Sequence, residues 1–261
     1  MNSLINHPLW VAYRLNLRAL RVYTQDFLLR LIAFPFQILL AVILWKTVAA
    51  TGQAPGIDLR YMVAYYAVVL ALGRMIPFGQ VSLRLARDIY SGNLSIALAR
   101  PVSVWWMPLA ELLATATAAL IMALPIMAAI MLWQGIPPAR LVQGFCLFLV
   151  GAYLQFWFYF WVGTLAFWTE EIRGVLQGVN LALGLATGAL VPLSLFPPAA
   201  QSALQLTPFY YFVFLPTQTL LQPEGLPNWA MLAMLTWAAL LPLLALTTYR
   251  WGLRRFTAHG V

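Results

Sequence analysis

Charge is the scarcest ingredient of this 261-residue chain, with acidic and basic residues together making up only 8% of it. A soluble domain carries roughly a quarter of its residues as charges. Water is therefore excluded as the main solvent, and 63% hydrophobic residues with a mean hydropathy of +0.83 say the same. No polar stretch is long enough to fold alone, which predicts a single domain with no linker. Histidine is nearly absent. His7 and His259 stand at opposite chain ends, where solvated tail positions are expected rather than a metal pair. One cysteine, Cys146, excludes an intramolecular disulfide and a thiolate metal cluster.

The seven acids are Asp26, Asp58, Asp88, Glu111, Glu170, Glu171 and Glu224, and all fall at the edges of apolar runs or between them. The runs thus hold no nucleophile with a base for an intramembrane enzyme, and no deep acid of the kind an ion-coupled carrier uses. The only lysine is Lys46, which no glycine-rich loop precedes, so a phosphate-binding P-loop is excluded. Arginine is what remains, giving a formal charge of +8 and a pI near 10.0. Most arginines flank apolar runs instead of forming a patch, which points to topology and lipid headgroups and away from nucleic acid.

What the chain has in abundance is long apolar runs. Spans are expected at residues 31–50, 61–81, 107–133, 141–168, 171–195 and 229–249, each about the 20 residues that cross a bilayer as a helix. A signal peptide is the competing reading of the first run, because small residues follow it at 47–50. The long polar approach and Lys46 argue for a mature helix. Ahead of it, Trp10, Tyr13, Leu17, Leu20, Thr24 and Phe27 recur at steps of three and four, with Arg14, Arg18 and Arg21 on another face. That spacing predicts an amphipathic helix over 9–30, lying in the headgroup plane.

Alternating the spans places Arg14, Arg18, Arg21, Arg30, Arg84, Arg87, Arg100, Arg173, Arg250, Arg254 and Arg255 on one side, against Arg60 and Arg140 on the other. The arginine-rich side is the cytoplasm by the positive-inside rule, so both termini are expected there. Trp105, Trp106, Trp133, Trp168 and Trp229 sit at span ends as an aromatic belt.

Two stretches do not span. Residues 82–104 read as helix, glycine stop at Gly92, short helix, and proline stop at Pro101. There Asp88 can pair with Arg84 one turn back, and Leu94 and Leu98 offer an apolar face. A partner-docking element and a plain surface connector are both compatible with this pattern. Residues 196–227 are apolar but interrupted by Pro197, Pro198, Pro208, Pro216 and Pro223, so two half-helices near 198–206 and 209–221 are expected to be re-entrant or interfacial.

Residues 88–102 resemble the cytoplasmic loop of ABC-2 type permeases, in the branch of roughly 260-residue exporter permeases often found in pairs. The likeness continues at Ala166-Phe167-Trp168, at Gly188-Ala189-Leu190-Val191-Pro192-Leu193-Ser194-Leu195-Phe196-Pro197 and at Thr207-Pro208-Phe209-Tyr210-Tyr211, in order over nearly the whole chain.

The resemblance implies an all-α integral membrane fold like that of type V exporters, with six transmembrane helices. It implies a path formed with a second permease, the same chain or a paralogue, and a dimer of cytoplasmic ATP-binding cassette ATPases carrying ATP and Mg, with no cofactor in this chain. The setting implied is the bacterial inner membrane and the cargo a hydrophobic or amphiphilic one, exported from the cytoplasm or inner leaflet.

In that scheme Arg14, Arg18, Arg84, Arg87, Asp88, Leu94, Leu98 and Arg100 contact the ATPase. Pro192, Phe196, Pro197, Pro208, Phe209 and Tyr210 belong to an external gate. Little soluble outer mass argues against transferring a particular lipid or polysaccharide cargo. Arg74, Gln37, Gln155 and Asn180 are polar residues within spans, either lining the path or hydrogen-bonded structurally. The spacings Gly174-x-x-x-Gly178 and Gly184-x-x-x-Gly188 allow close helix approach, within the chain or at a dimer seam. The competing function is a passive channel or scaffolding subunit without a nucleotide-binding partner.

Overall fold

The computed structural model describes residues 8–20, 24–50, 58–70, 76–99, 103–222 and 227–256, and every regular element among them is helical. Eleven α-helices follow one another: α1 (Pro8–Leu20), α2 (Thr24–Ala50), α3 (Leu59–Val68), α4 (Gly79–Tyr90), α5 (Leu94–Leu98), α6 (Trp106–Gln134), α7 (Pro138–Thr164), α8 (Ile172–Ala186), α9 (Pro198–Gln205), α10 (Phe214–Leu221) and α11 (Asn228–Leu253).

Local chemistry sets most of the boundaries. Asp58 caps α3 by accepting the Arg60 backbone N–H at 2.9 Å. α6 ends at Gly135, whose φ of +66° suits a residue without a Cβ, and Pro138 then opens α7. Both helices joined by this short turn are long and apolar.

α7 is the helix around which the others assemble. Leu154, Gln155, Phe156, Trp157, Phe158, Tyr159 and Phe160 are all buried, so this stretch is covered on every side. α4, α10 and α11 supply the cover. Phe160 and Phe167 pack on Tyr249 of α11, and Phe158 meets Phe212 edge to face at 5.7 Å. Two glycines let backbones approach. A Cβ on Gly163 would stand 2.9 Å from the Ser82 Cα of α4, and one on Gly151 would stand 2.7 Å from the carbonyl oxygens of Tyr211 and Phe212.

The ends of the bundle are defined by contacts. At one end the termini of α4, α7 and α11 gather, with Tyr90 donating to the Thr169 carbonyl at 2.9 Å and Arg255 and Phe256 beside Glu170. At the other, the Arg60 guanidinium donates to the Trp133 carbonyl and stacks over its ring, and Gln134 donates back to the Arg60 carbonyl at 3.1 Å.

Residues 138–167 and α11 are long and apolar enough to cross a membrane, and shorter apolar helical stretches occupy 35–48, 106–121 and 172–186. Several elements depart from the sequence expectation. Of the helix expected over 9–30, residues 9–20 lie in α1 and residues 24–30 in α2, and residues 21–23 lie outside the described residues. The span expected at 61–81 holds most of α3 and the first residues of α4, with Pro77 and Phe78 ahead of α4 and residues 71–75 outside the described residues. The span expected to reach residue 195 stops at Ala186, where Gly188 with φ +76° turns the chain.

Candidate functional site

Three groups of expected residues can be placed. The first surrounds α4, Gly92 and α5. Val81, Ser82, Leu85, Ala86 and Ile89 form the buried face of α4, and Ser82 Oγ donates to the Tyr159 carbonyl of α7 at 2.5 Å. Arg87 lies on the exposed face, and the chain turns at Gly92 with φ +73°. Arg84 pairs with Glu111 of α6 instead of the Asp88 one turn along its own helix. That pair ties α4 to α6. The Asp88 carboxyl is left beside Arg84 and Arg87 but is partly withdrawn from water, and burial raises its pKa above the usual carboxylate value. Leu94 is fully buried, whereas Leu98 is 46% and Ile96 58% exposed, so α5 anchors through one leucine and displays the other two side chains. A cavity of about 390 Å³ between α1, α4, α5 and α6 is lined by Leu9, Asp88, Ile96, Val104 and Met107. α1 reaches it by packing along α6, where the Tyr13 and Thr117 hydroxyls meet at 3.0 Å. Arg14 and Arg18 lie on the exposed side of α1. Arg100 lies outside the described residues.

The second group is the broken segment from Thr187 to Gln222. It contains no charged residue in the described part, and its irregular backbone is satisfied by side chains. Tyr65 Oη donates to the Gly188 carbonyl at 2.8 Å and Tyr66 Oη to that of Leu190 at 2.7 Å. Gln201 donates to the Phe196 carbonyl at 2.7 Å, Tyr211 to Gln205 at 2.8 Å and Trp237 to Leu206 at 3.2 Å. Such pairing is what non-helical backbone requires at membrane depth. Of the expected gate residues, Pro192, Pro208 and Tyr210 are buried, Phe196 and Phe209 are half-buried and Pro197 is exposed. Phe209 packs on Phe158 and Phe212, and Tyr210 on Phe214 and Trp229.

The third group separates. Gln155 and Asn180 line one cavity of about 320 Å³, together with Tyr159, Thr187 and Phe212. Gln155 Nε2 donates to the Phe212 carbonyl at 3.3 Å, and Tyr159 Oη donates to Asn180 Oδ1 at 2.7 Å. Gln37 is exposed on α2 and does not line this cavity. Arg74 lies outside the described residues.

The two glycine spacings also part. Gly174 and Gly178 face open space, while a Cβ on Gly184 would strike Leu190 at 2.8 Å, so that glycine serves internal packing.

Sequence reasoning missed Glu111, Tyr65, Tyr66 and Tyr159 as site residues. Glu111 could have been found as an acid in the first turns of an apolar run, an expensive place for a charge unless it is paired. The tyrosines carry no such signal.

Long apolar helices packed around α7, a hydrogen-bonded broken segment among them, and Arg87 and Arg255 at the ends of α4 and α11 are the build of an integral membrane protein. The family model described as ABC-2 family transporter protein matches residues 31–260, and the chain belongs to that family. It is therefore a membrane component of a transporter, as the resemblance implied. Comparison with curated proteins gives no match.

Proposed function

We propose that this chain is the permease subunit of an ATP-driven exporter. A second permease completes the translocation path, and a pair of cytoplasmic ATPases carrying ATP and Mg drives it. The observation that carries this reading is the α4–Gly92–α5 element. The α4 helix ends at Tyr90 beside Glu170 and Arg255, and the element displays Tyr90, Ile96 and Leu98 to the outside. Apolar side chains grouped on a polar end mark a partner surface. The rest of the element is fixed to α7 and α6 through Ser82 and Arg84, so a push on α5 is passed to two long helices.

In this scheme the arginine-rich end faces the cytoplasm of a bacterial inner membrane, both termini lie there, and six helices cross. The Thr187 to Gln222 segment forms the external gate, opened when α7 shifts against the Phe209 and Phe212 rings. The cargo is hydrophobic or amphiphilic, in keeping with apolar helix surfaces. Purification of the full chain from its native membrane is expected to bring down an ATPase with Walker motifs. Ile96→Asp with Leu98→Asp is expected to abolish that association and the cargo-stimulated hydrolysis. Association and hydrolysis unchanged in that double variant would overturn the coupling role.

A further inference from the structure

The cavity at Gln155 and Asn180 lies where three interruptions of helical backbone converge: residues 76–78 ahead of α4, residues 187–189 after α8, and Phe212 with Val213 ahead of α10. In membranes such breaks are tolerated where protein covers them or where they line a cavity, and broken helices are where transporters place their cargo sites. At a rise of 1.5 Å per residue, Gln155 stands about 13 Å from the Thr164 end of α7 and Asn180 about 13 Å from Glu171. With those two ends at the cytoplasmic face, as the transport reading places them, both stand close to the middle of a hydrocarbon layer about 30 Å thick.

The hydrogen bonds already made decide what is left over. Gln155 uses its amide nitrogen on the Phe212 carbonyl, so Oε1 remains an acceptor without a donor among the described residues. Asn180 Oδ1 receives the Tyr159 hydroxyl, so Nδ2 remains a donor. No charged side chain lines the cavity among the described residues. The parallel rings of Phe78 and Tyr159, 6.3 Å apart, belong to its wall.

We propose that this cavity binds an uncharged hydroxyl or amide group of an amphiphile, through Gln155 Oε1 as acceptor and Asn180 Nδ2 as donor. One amide of each polarity replaces the water that a neutral polar group gives up on entering the membrane interior. A charged group would need a counter-charge that the amides do not supply. At about 320 Å³ the space takes a head group or a single ring, leaving the apolar body outside it. The site belongs to the transport reading as its cargo subsite, but binding to it requires neither ATP nor a partner.

The test uses the full chain in lipid nanodiscs and a photoreactive dodecyl glucoside, with labelled peptides mapped by mass spectrometry. Labelling is expected on peptides containing Gln155, Asn180 and Phe212, competed by dodecyl maltoside and not by dodecyltrimethylammonium. Asn180→Leu, at an exposed position, is expected to weaken labelling about tenfold, the equivalent of one lost hydrogen bond, with the melting temperature in detergent checking that the fold is kept. Asn180→Gln is expected to restore most of it. Labelling that is indifferent to Asn180→Leu, or competed equally by the cationic detergent, would overturn the site. If labelling behaves as expected but the bound glucoside is unaffected by ATP in the native complex, the site stands and the export reading falls.

Discussion

Two parts of this molecule bend the chain, and they are held by different forces. The α4–Gly92–α5 element is fixed by one left-handed glycine, an Arg84–Glu111 pair and a buried apolar face on α7. The Thr187 to Gln222 segment has no charge to use in its described part. It is fixed by tyrosine, glutamine and tryptophan donors on backbone carbonyls and by interlocked aromatic rings. Charges are cheap to hold where water is near, whereas neutral donors can satisfy a carbonyl in an apolar medium without leaving an ion unpaired. The contrast teaches that the two bends respond to different perturbations: salt and pH for one, loss of shape for the other.

The largest expected effect falls on the second bend. Gly151→Ala places a methyl group against the Tyr211 and Phe212 carbonyl oxygens, which belong to backbone and cannot swing away. Overpacking of this kind costs about 1–3 kcal/mol, and thermal unfolding of the chain in detergent should show it at the upper end of that range. Gly92→Ala, at the first bend, introduces a Cβ at φ +73° and should cost about 1–2 kcal/mol by the same measurement. If the two losses came out in the reverse order, close backbone packing would not be the tighter constraint of the two.

A smaller effect separates the bends more cleanly. Glu111→Gln removes the partner of Arg84. Because both side chains are about a third exposed, the loss should be no more than about 1 kcal/mol and should shrink in high salt. Tyr66→Phe, which removes the donor to the Leu190 carbonyl, should cost about 1 kcal/mol independent of salt.

The smallest effect is Asp88. Its folded pKa is raised by burial, so the folded state holds its proton to higher pH than the unfolded chain does. Ionised Asp88 therefore destabilises the fold above the raised folded pKa. That penalty fades as pH falls toward the ordinary value of 3.8. Asp88→Asn should accordingly raise the melting temperature slightly at pH 7, with the gain disappearing near pH 4.

The helices that could be read from sequence were those whose limits coincide with changes in hydropathy. α6, α7 and α11 begin and end within a few residues of the apolar runs at 107–133, 141–168 and 229–249, since tryptophans, prolines and arginines mark their ends. α8 was read too long because a helix stop inside an apolar run leaves no trace in hydropathy. Gly188 and Pro192 carried the signal, but a single glycine or proline does not distinguish a stop from a packing position or a kink. The helix–glycine–helix pattern of residues 79–98 was legible from its period and its breaker. Which of its leucines faces inward was not, because a helix of five residues has no period to read.

The partner of Arg84 illustrates the same limit. A local pair with Asp88 satisfies spacing rules, yet the structure uses Glu111, 27 residues away, and only the packing of α4 against α6 brings it near. For the cavity, Gln155 and Asn180 stood out as polar residues in apolar runs. That they face one space while Gln37 does not depends on where α7 and α8 meet, which no single run contains.

α7 also sets an order of assembly. Its stretch from Leu154 to Phe160 is enclosed by α4, which precedes it, and by α10 and α11, which follow. During synthesis it therefore enters the bilayer half-clothed, with its aromatic side chains against lipid on the face that α11 will later take. Only after Leu253 has emerged can Tyr249 close over Phe160 and Phe167. A helix made well after α7 is the one that seals the middle of the molecule, so a chain stopped short of α11 would have its central helix still open to lipid.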